Sequence, residues 1–355
     1  MTIPAIILGF NRPKYLSKSL SAVTQSGIEK IYVHLDGPRK DRTQDIKLVG
    51  ECQEVVASFK SRYVNILSNY SEINLGCGPG ITSGLNWFFS QEEKGLIIED
   101  DILITKTFVQ FAEEALEIFK NDESIWQING WSPFNKAFGC NSVYQTRFAN
   151  PWGWATWRNR WEKQNYQKEF FSEISSINLP SNKGFETGPE FEEYWNRNFN
   201  YRNHRNSPEW DYQWVHRIWC NGGYAISPPF RMTTNIGFGK DSTHTFRPIR
   251  NQLPKFEINK SWNMNPCANS PAKDRVLRIA VFPESCSREE SKKLFREKFA
   301  IQRIYTKNRF ISLIRIIEYR AIFSKYLSLF AIKITLRSII RKLIFIKRVK
   351  NAIHR

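Results

Sequence analysis

Three consecutive carboxylates, Glu99, Asp100 and Asp101, follow the aliphatic run "GLII" in the segment Gly95–Phe108. Adjacent negative charges repel, and burying any of them is costly unless a cation compensates. A hard divalent ion, Mg²⁺ or Mn²⁺, would cancel the repulsion, since such ions take oxygen ligands and bridge to phosphates. It would also act as a Lewis acid on a diphosphate leaving group. The competing reading is an acidic entrance to the next helix, where carboxylates complement the helix dipole. Asp36 in "HLDGP" closes another apolar run and reads either as a ligand contact or as an ordinary DG turn. Arg12 in "FNRP" either meets a phosphate or projects into water. The glycines of "GCGPG" could admit a phosphate or a base to the backbone, although the GK[ST] end of a P-loop is missing. Asp211 in "EWDYQW" lies among Trp210, Tyr212 and Trp214. Such a setting can raise a carboxyl pKa towards that of a general base and shape an acceptor pocket. Asp211 could equally cap the helix expected over 212–220. "NPWGWATWRNRW" reads as a sugar-stacking platform or the aromatic side of a core, with Trp152 and Trp154 nearest an acceptor. His34, His204, His216 and His354 have no evident partners, and His216 reads as structural.

These groups need elements to hold them. "IPAIILGF" reads as a fully buried strand, followed by an "NRP" turn and a helix from Lys14 to about Gln25. "KIYVHLDGP" is a second strand; a helix of roughly 41–59 leads to the short strand "YVNILSN". "NLGCGPGITSGLNWFF" is a glycine-rich turn entering a helix. After the strand "GLIIEDD" comes a helix with Thr107 and Gln110 as its capping box. Its apolar face is Phe108, Phe111, Ala112, Ala115, Leu116 and Phe119. This alternation predicts a parallel, doubly wound α/β half, in which ligands bind at the carboxyl ends of strands. Asp36 and Glu99–Asp101 both stand at such ends. From Trp126 to about His244 the pattern changes to a mixed second half, and 248–271 reads as a wrapping linker.

Aromatic residues make up 14% of the 355-residue chain. Cys52, Cys77, Cys140, Cys220, Cys267 and Cys286 have neither CxxC nor metal-ligand spacing, which predicts reduced thiols. No leader is expected, because the chain has completed a strand and reached a polar turn by Arg12. The net charge of +18 is concentrated at the end: residues 296–355 carry 16 Lys/Arg against two acids, leaving the rest close to neutral. In that tail Ile332, Leu336, Ile339, Ile340 and Leu343 share one helical face, and Lys333, Arg337, Arg341 and Arg348 share another. Its central uncharged run is far short of the ~20 residues that span a bilayer. A basic amphipathic helix lying on an anionic membrane surface is expected, on the cytoplasmic side, with core packing or an oligomer contact as alternatives. No nucleic-acid module accompanies the charge.

In order along the chain, "FNRP", "HLDG", "IIEDDILITKTFVQFAEEAL", "SIWQINGW", "VYQTRFANPWGWATWRNRWEK", "PEWDYQW" and "GFGKDSTHT" resemble the GT-A type of nucleotide-sugar glycosyltransferase. Within it they are most similar to N-acetylglucosaminyltransferase I and its bacterial family-two-like relatives. The resemblance covers about Ile3 to Thr245. It implies a mixed, mostly parallel sheet flanked by helices over 1–265, with a linker at 266–295 and a basic helical tail at 296–355. It implies that Asp101 binds Mn²⁺ (or Mg²⁺), that Asp100 lies against the donor's ribose or sugar, and that Glu99 supports the site. Asp36 would meet the base, Arg12 the diphosphate or base, and Asp211 would be the general base. His244, on a loop that closes over donor, would reach the metal or diphosphate. Trp152, Trp154 and Trp210 would bind the acceptor. One departure is that Tyr70 or its neighbours stand where the family has a base-contacting His, although a UDP-sugar is still the expected donor. The expected activity is inverting transfer to a surface polysaccharide or glycolipid. The alternatives are a sugar nucleotidyltransferase, which would need a Gly-rich basic loop after the first strand, and a degenerate membrane-attached scaffold or sugar-binding protein.

Overall fold

The computed structural model describes residues 2–62, 65–132, 141–163, 189–205, 210–237 and 261–267, all within the first of two compact units, Met1–Leu294. His244, the basic tail and the rest of the expected linker lie outside the described residues.

Apolar runs become strands buried on both sides: β1 (Ala5–Gly9), β2 (Ile31–Leu35) and β4 (Lys94–Glu99). Such runs suit a parallel sheet covered by helices on both faces. β1 pairs in parallel with β2 on one side and β4 on the other, and β2 continues in parallel to β3 (Ile66–Tyr70). Beyond β4 the sheet becomes mixed through β8 (Trp154–Trp157), β6 (Ile125–Asn129), β9 (Tyr224–Ser227), β7 (Ser142–Thr146) and β11 (Asn263–Cys267). The nine described strands run in the order β11-β7-β9-β6-β8-β4-β1-β2-β3. A separate two-stranded sheet pairs β5 (Ile102–Ile104) antiparallel with β10 (Thr233–Asn235). The expected α/β architecture, mostly parallel and flanked by helices, is therefore present. β11 was not foreseen: it crosses the expected 265/266 boundary and makes part of the supposed wrapping linker a sheet strand.

Strand alternation sorts the helices. Ala5, Ile7, Leu96 and Ile98 share a core with Leu16, Leu20 and Val23 of α1 (Pro13–Gln25), with Cys52 and Val56 of α2 (Thr43–Lys60), and with Phe108, Phe111 and Leu116 of α4 (Lys106–Ile118). The opposite face carries α3 (Cys77–Gln91). A Cβ on Gly84 would come within 2.6 Å of Leu8 and 2.8 Å of His34, so only glycine lets α3 approach this closely. Gly78, Gly80 and Gly84 are buried inside α3 and form a packing surface, whereas Gly76, at the start of the helix, has open space beside it. α7 (Trp210–Cys220) packs beside α3, and α6 (Pro189–Arg205) joins it through the aromatic contacts of Trp195 with Trp219 and Tyr212. A four-residue helix, α5 (Arg158–Trp161), closes β8.

All six residues expected on the apolar face of α4 are buried. Its cap is different: Thr105, not Thr107, is the N-cap, and its side chain accepts from the Phe108 N–H at 3.2 Å. The helix-entrance reading of the acid triplet also fails. Glu99 is the last residue of β4, Asp100 and Asp101 form a turn, and β5 intervenes before α4 begins at Lys106.

Candidate active site

Strand order reverses between β1 and β4. From β1 the chain builds outward through β2 and β3, then returns to place β4 on the other side of β1. Helices on either side of such a reversal leave a crevice at the carboxyl ends of the strands, where ligands bind in open α/β sheets. Arg12 emerges there from β1, and Asp100 and Asp101 emerge from β4.

The three side chains meet. Arg12 Nη1 donates to Asp101 Oδ2 at 2.8 Å, Nε donates to Asp100 Oδ2 at 3.3 Å, and Nη2 donates to Asp100 Oδ1. Asp100 and Asp101 are buried, while Arg12 keeps part of its side chain exposed. Arg12 therefore does not project freely into water. Burial opposes its charge, but the attraction of Asp100 and then Asp101 prevails and raises its pKa. Burial pushes Asp100 up to about 6, against the pull of Arg12 and with a further push from Asp101. Glu99 is raised well above the carboxylate range by burial first, then by Asp101, Asp211 and Asp100, with Arg12 opposing. Alternation points Glu99, like Gly95 and Ile97, towards the face covered by α3 and α7. It keeps part of its surface accessible.

Asp211 thus comes within electrostatic reach of Glu99 although 112 positions separate them in the sequence. It lies in the first turn of α7, which starts at Trp210, and its Oδ1 accepts from the Tyr212 N–H at 2.9 Å. It is inside the helix rather than its N-cap. A buried polar network ties α7 to the sheet. Trp214 Nε1 donates to Gln127 Oε1 at 2.6 Å, and Gln127 Nε2 donates to Asn129 Oδ1 at 2.6 Å and to the Asn150 carbonyl at 2.9 Å. Asn129 in turn donates to the Phe148 carbonyl and to Ser227. Neither Gln127 nor Asn129 was picked out in the sequence; a polar pair inside an otherwise apolar strand, "IWQIN", was the available signal.

Asp36 is placed beside this crevice but is fully engaged. Oδ1 accepts from the N–H groups of Gly37 (2.9 Å) and Leu75 (2.8 Å), and Oδ2 from Asn74 Nδ2 (2.9 Å) and the Gly76 N–H (3.0 Å). Burial raises its pKa while the N–H groups of Leu75, Gly37 and Gly76 oppose. In this structure it is the joint that fastens the loop after β3 to the end of β2, not an open base contact.

The aromatic calls divide. Trp154 and Trp210 are 0% and 3% exposed, and their rings stack on each other at 5.7 Å. No ring face is left for a sugar, so these two belong to the core, which corrects the expectation that they bind acceptor. Trp152 remains partly exposed, set edge-on to Trp131 at 4.9 Å. His34 is buried, which lowers its pKa first of all, although Asn69 and Asp36 counteract. Cys52, Cys77 and Cys220 are not joined in disulfides.

A divalent ion can be tested against the residues themselves. Among the described residues no three His, Cys, Asp or Glu side chains are close enough to hold an ion unaided. Two observations nevertheless favour Asp101. Its Oδ1 is buried without a hydrogen-bond partner among the described residues. Gly237 lies against the same carboxylate so closely that a Cβ there would be 2.0 Å from Oδ2. β10 delivers Gly237 to this place, with the Ile236 N–H donating to the Asp101 carbonyl at 2.8 Å. Magnesium-like ions are commonly held by one or two carboxylates with phosphate oxygens and water supplying the rest. The pair fits an ion bound in that way.

No family model and no curated protein matches the chain. Solved structures with partial likeness include TarS residues 1–349 from S. aureus, at 15% identity and a TM-score of 0.36, covering 66% of this chain and 59% of that one. The mannosyltransferase PcManGT from Pyrobaculum calidifontis, in complex with GDP-Man and Mn²⁺, matches at 11% identity and a TM-score of 0.33, over 44% of this chain and 45% of that one. The inositol-1-phosphate CTP transferase from T. maritima matches at 9% identity and a TM-score of 0.35, over 68% of this chain and 90% of that one. The chain thus spans well under two thirds of the first two. Likenesses at this level leave the assignment of function to the site.

Proposed function

We propose that the protein is an inverting, metal-dependent glycosyltransferase of GT-A type that uses a nucleotide-sugar donor. The observation that carries this reading is the meeting of Arg12 with Asp100 and Asp101 at the reversal of strand order, with Asp211 within electrostatic reach of Glu99. A crevice of this kind suits a nucleotide, and a buried acid pair suits an ion that carries a diphosphate.

In this reading Asp101 and Asp100 would hold Mn²⁺ or Mg²⁺, which supplies a Lewis acid to the leaving diphosphate. Arg12 would neutralise the diphosphate, as a guanidinium does through paired hydrogen bonds. Asp211 would take the proton from the acceptor hydroxyl as that oxygen attacks the anomeric carbon from the face opposite the leaving group. Glu99, whose pKa is raised by burial and then by Asp101, Asp211 and Asp100, would support the site beside Asp211. Trp152, which keeps part of its surface exposed, would meet the acceptor. UDP as the base-bearing part, His244 as a further ligand, and a surface polysaccharide or glycolipid acceptor met at the inner membrane face through the basic tail extend the proposal. No helix among the described residues is long and apolar enough to cross a membrane.

A nucleotidyltransferase is disfavoured by the β1–α1 connection. Gly9 ends β1 and Pro13 begins α1, which leaves no space for a glycine-rich triphosphate loop.

The test is a screen of UDP-, GDP-, CDP- and dTDP-sugars with Mn²⁺, reading nucleoside diphosphate release and thermal stabilisation. One donor should be hydrolysed in a Mn²⁺-dependent way, and Asp211→Asn should keep nucleotide stabilisation while losing transfer. If no nucleotide stabilises the protein, the proposal is wrong.

A further inference from the structure

Arg12 holds three of the four oxygens of the Asp100–Asp101 pair, and the fourth, Asp101 Oδ1, is buried without a hydrogen-bond partner among the described residues. A divalent ion bound to a carboxylate sits within about 2–2.5 Å of its oxygens. Two cations on the same oxygens in a poorly solvated site repel strongly. The guanidinium and an ion therefore exclude each other from Asp101 Oδ2 and from the shared side of Asp100. Arg12 also has somewhere to go: it is partly exposed, on the three-residue link between β1 and α1, with the Tyr15 ring 5.6 Å from its guanidinium carbon.

We propose that Arg12 is the resting counter-ion of the Asp100–Asp101 pair and competes with the divalent ion for it. An arriving diphosphate draws the guanidinium away, because its oxygens match the planar fork better than carboxylates already shared with a metal. Ion and nucleotide then bind together, and the acid pair is never left without positive charge. This inference rests on the proposed donor chemistry, and it makes Arg12 a determinant of binding order.

The experiment titrates Mn²⁺ into the full chain, reading free ion by electron paramagnetic resonance, with and without UDP or GDP. Wild type should bind Mn²⁺ weakly alone and about tenfold or more tightly with one of the nucleotides, a coupling of ordinary size for linked sites. Arg12→Gln should bind Mn²⁺ alone about tenfold more tightly than wild type and lose most of the nucleotide-dependent gain. Its melting temperature should fall without Mn²⁺ and recover with it. Arg12→Lys, a point charge without the fork, should lie between. If Arg12→Gln, or Arg12→Lys should the former not fold, binds Mn²⁺ no more tightly than wild type, the competition is refuted. If wild type binds no nucleotide yet loss of Arg12 still tightens Mn²⁺ binding, the counter-ion role stands and the glycosyltransferase reading falls.

Discussion

Asp36 and Asp101 stand at the carboxyl ends of β2 and β4, the two strands that flank β1, and both are almost fully buried. Their surroundings are opposite. Asp36 receives four hydrogen bonds, three from backbone N–H groups, and fastens one loop to another. Asp101 receives one from a side chain, has one oxygen without a hydrogen-bond partner among the described residues, and is packed closely against a glycine. Fixed dipoles that are part of the chain make a buried carboxylate a structural joint. In the proposed function, a single side-chain cation that can be exchanged makes it a binding site.

The largest effect should come from Asp101→Asn, which removes the charge but keeps the shape. Mn²⁺-dependent donor turnover should fall by about a thousandfold, the scale of losing one electrostatic group in a catalytic site. The melting temperature without metal should hardly change, because relief from Asp100 repulsion offsets the lost contact to Arg12; a large drop would mean that Asp101 is a joint like Asp36. Asp36→Ala should do the reverse, costing about 3 kcal/mol of stability in urea unfolding by leaving three buried N–H groups unpaired. Retained stability together with lost nucleotide affinity would erase the contrast. Gln127→Leu should cost about 2 kcal/mol, since Trp214 Nε1 loses its acceptor, and should impair transfer more than donor binding because α7 carries Asp211. Gly237→Ala should weaken Mn²⁺–nucleotide binding by about tenfold, with a stability loss of about 1 kcal/mol measured by melting, because the new methyl collides with Asp101.

The smallest effect is on pH dependence. Asp100 is raised to about 6 in the folded state, so the fold binds a proton more tightly than the unfolded chain does. Stability should therefore decline as pH rises from about 4 to 6. Asp45 behaves oppositely: hydrogen bonding from Arg39 lowers it to about 2, so its contribution is lost as pH falls below about 5 and opposes the decline only at the acid end of that window. Melting curves of Asp100→Asn should show a shallower decline, because Glu99 and Asp36 are raised as well and keep part of it; an unchanged slope would locate the titration elsewhere.

Much of this was legible in the residues. Doubly buried strands announce themselves as unbroken aliphatic runs, so β1, β2 and β4 and the acids at their ends could be placed. The α4 face followed from its 3.6-residue period. Contacts made across the sheet were not legible. That Arg12 would lie on Asp100 and Asp101 depends on β4 inserting beside β1, which no local pattern encodes. The glycines of α3 left their role open, because close packing or open backbone depends on what lies opposite. Trp154 and Trp210 looked like sugar platforms for the same reason: a ring has two faces, and the sequence does not say that each is covered by the other. β11 escaped because five residues with a proline, "NMNPC", carry little strand pattern on their own.

The short β5–β10 ladder has a consequence for anyone who trims or transplants this domain. Asp101 is tied at its carbonyl and crowded at its carboxylate by Ile236 and Gly237, contributed from 135 positions downstream. A fragment that stops after β9 would keep the strands that position Arg12 and the acids, yet lose the piece that fixes the acid's backbone. The "EDD" triplet is therefore not a portable motif. It is one half of a clasp, and a graft that omits the other half should fold without gaining the site.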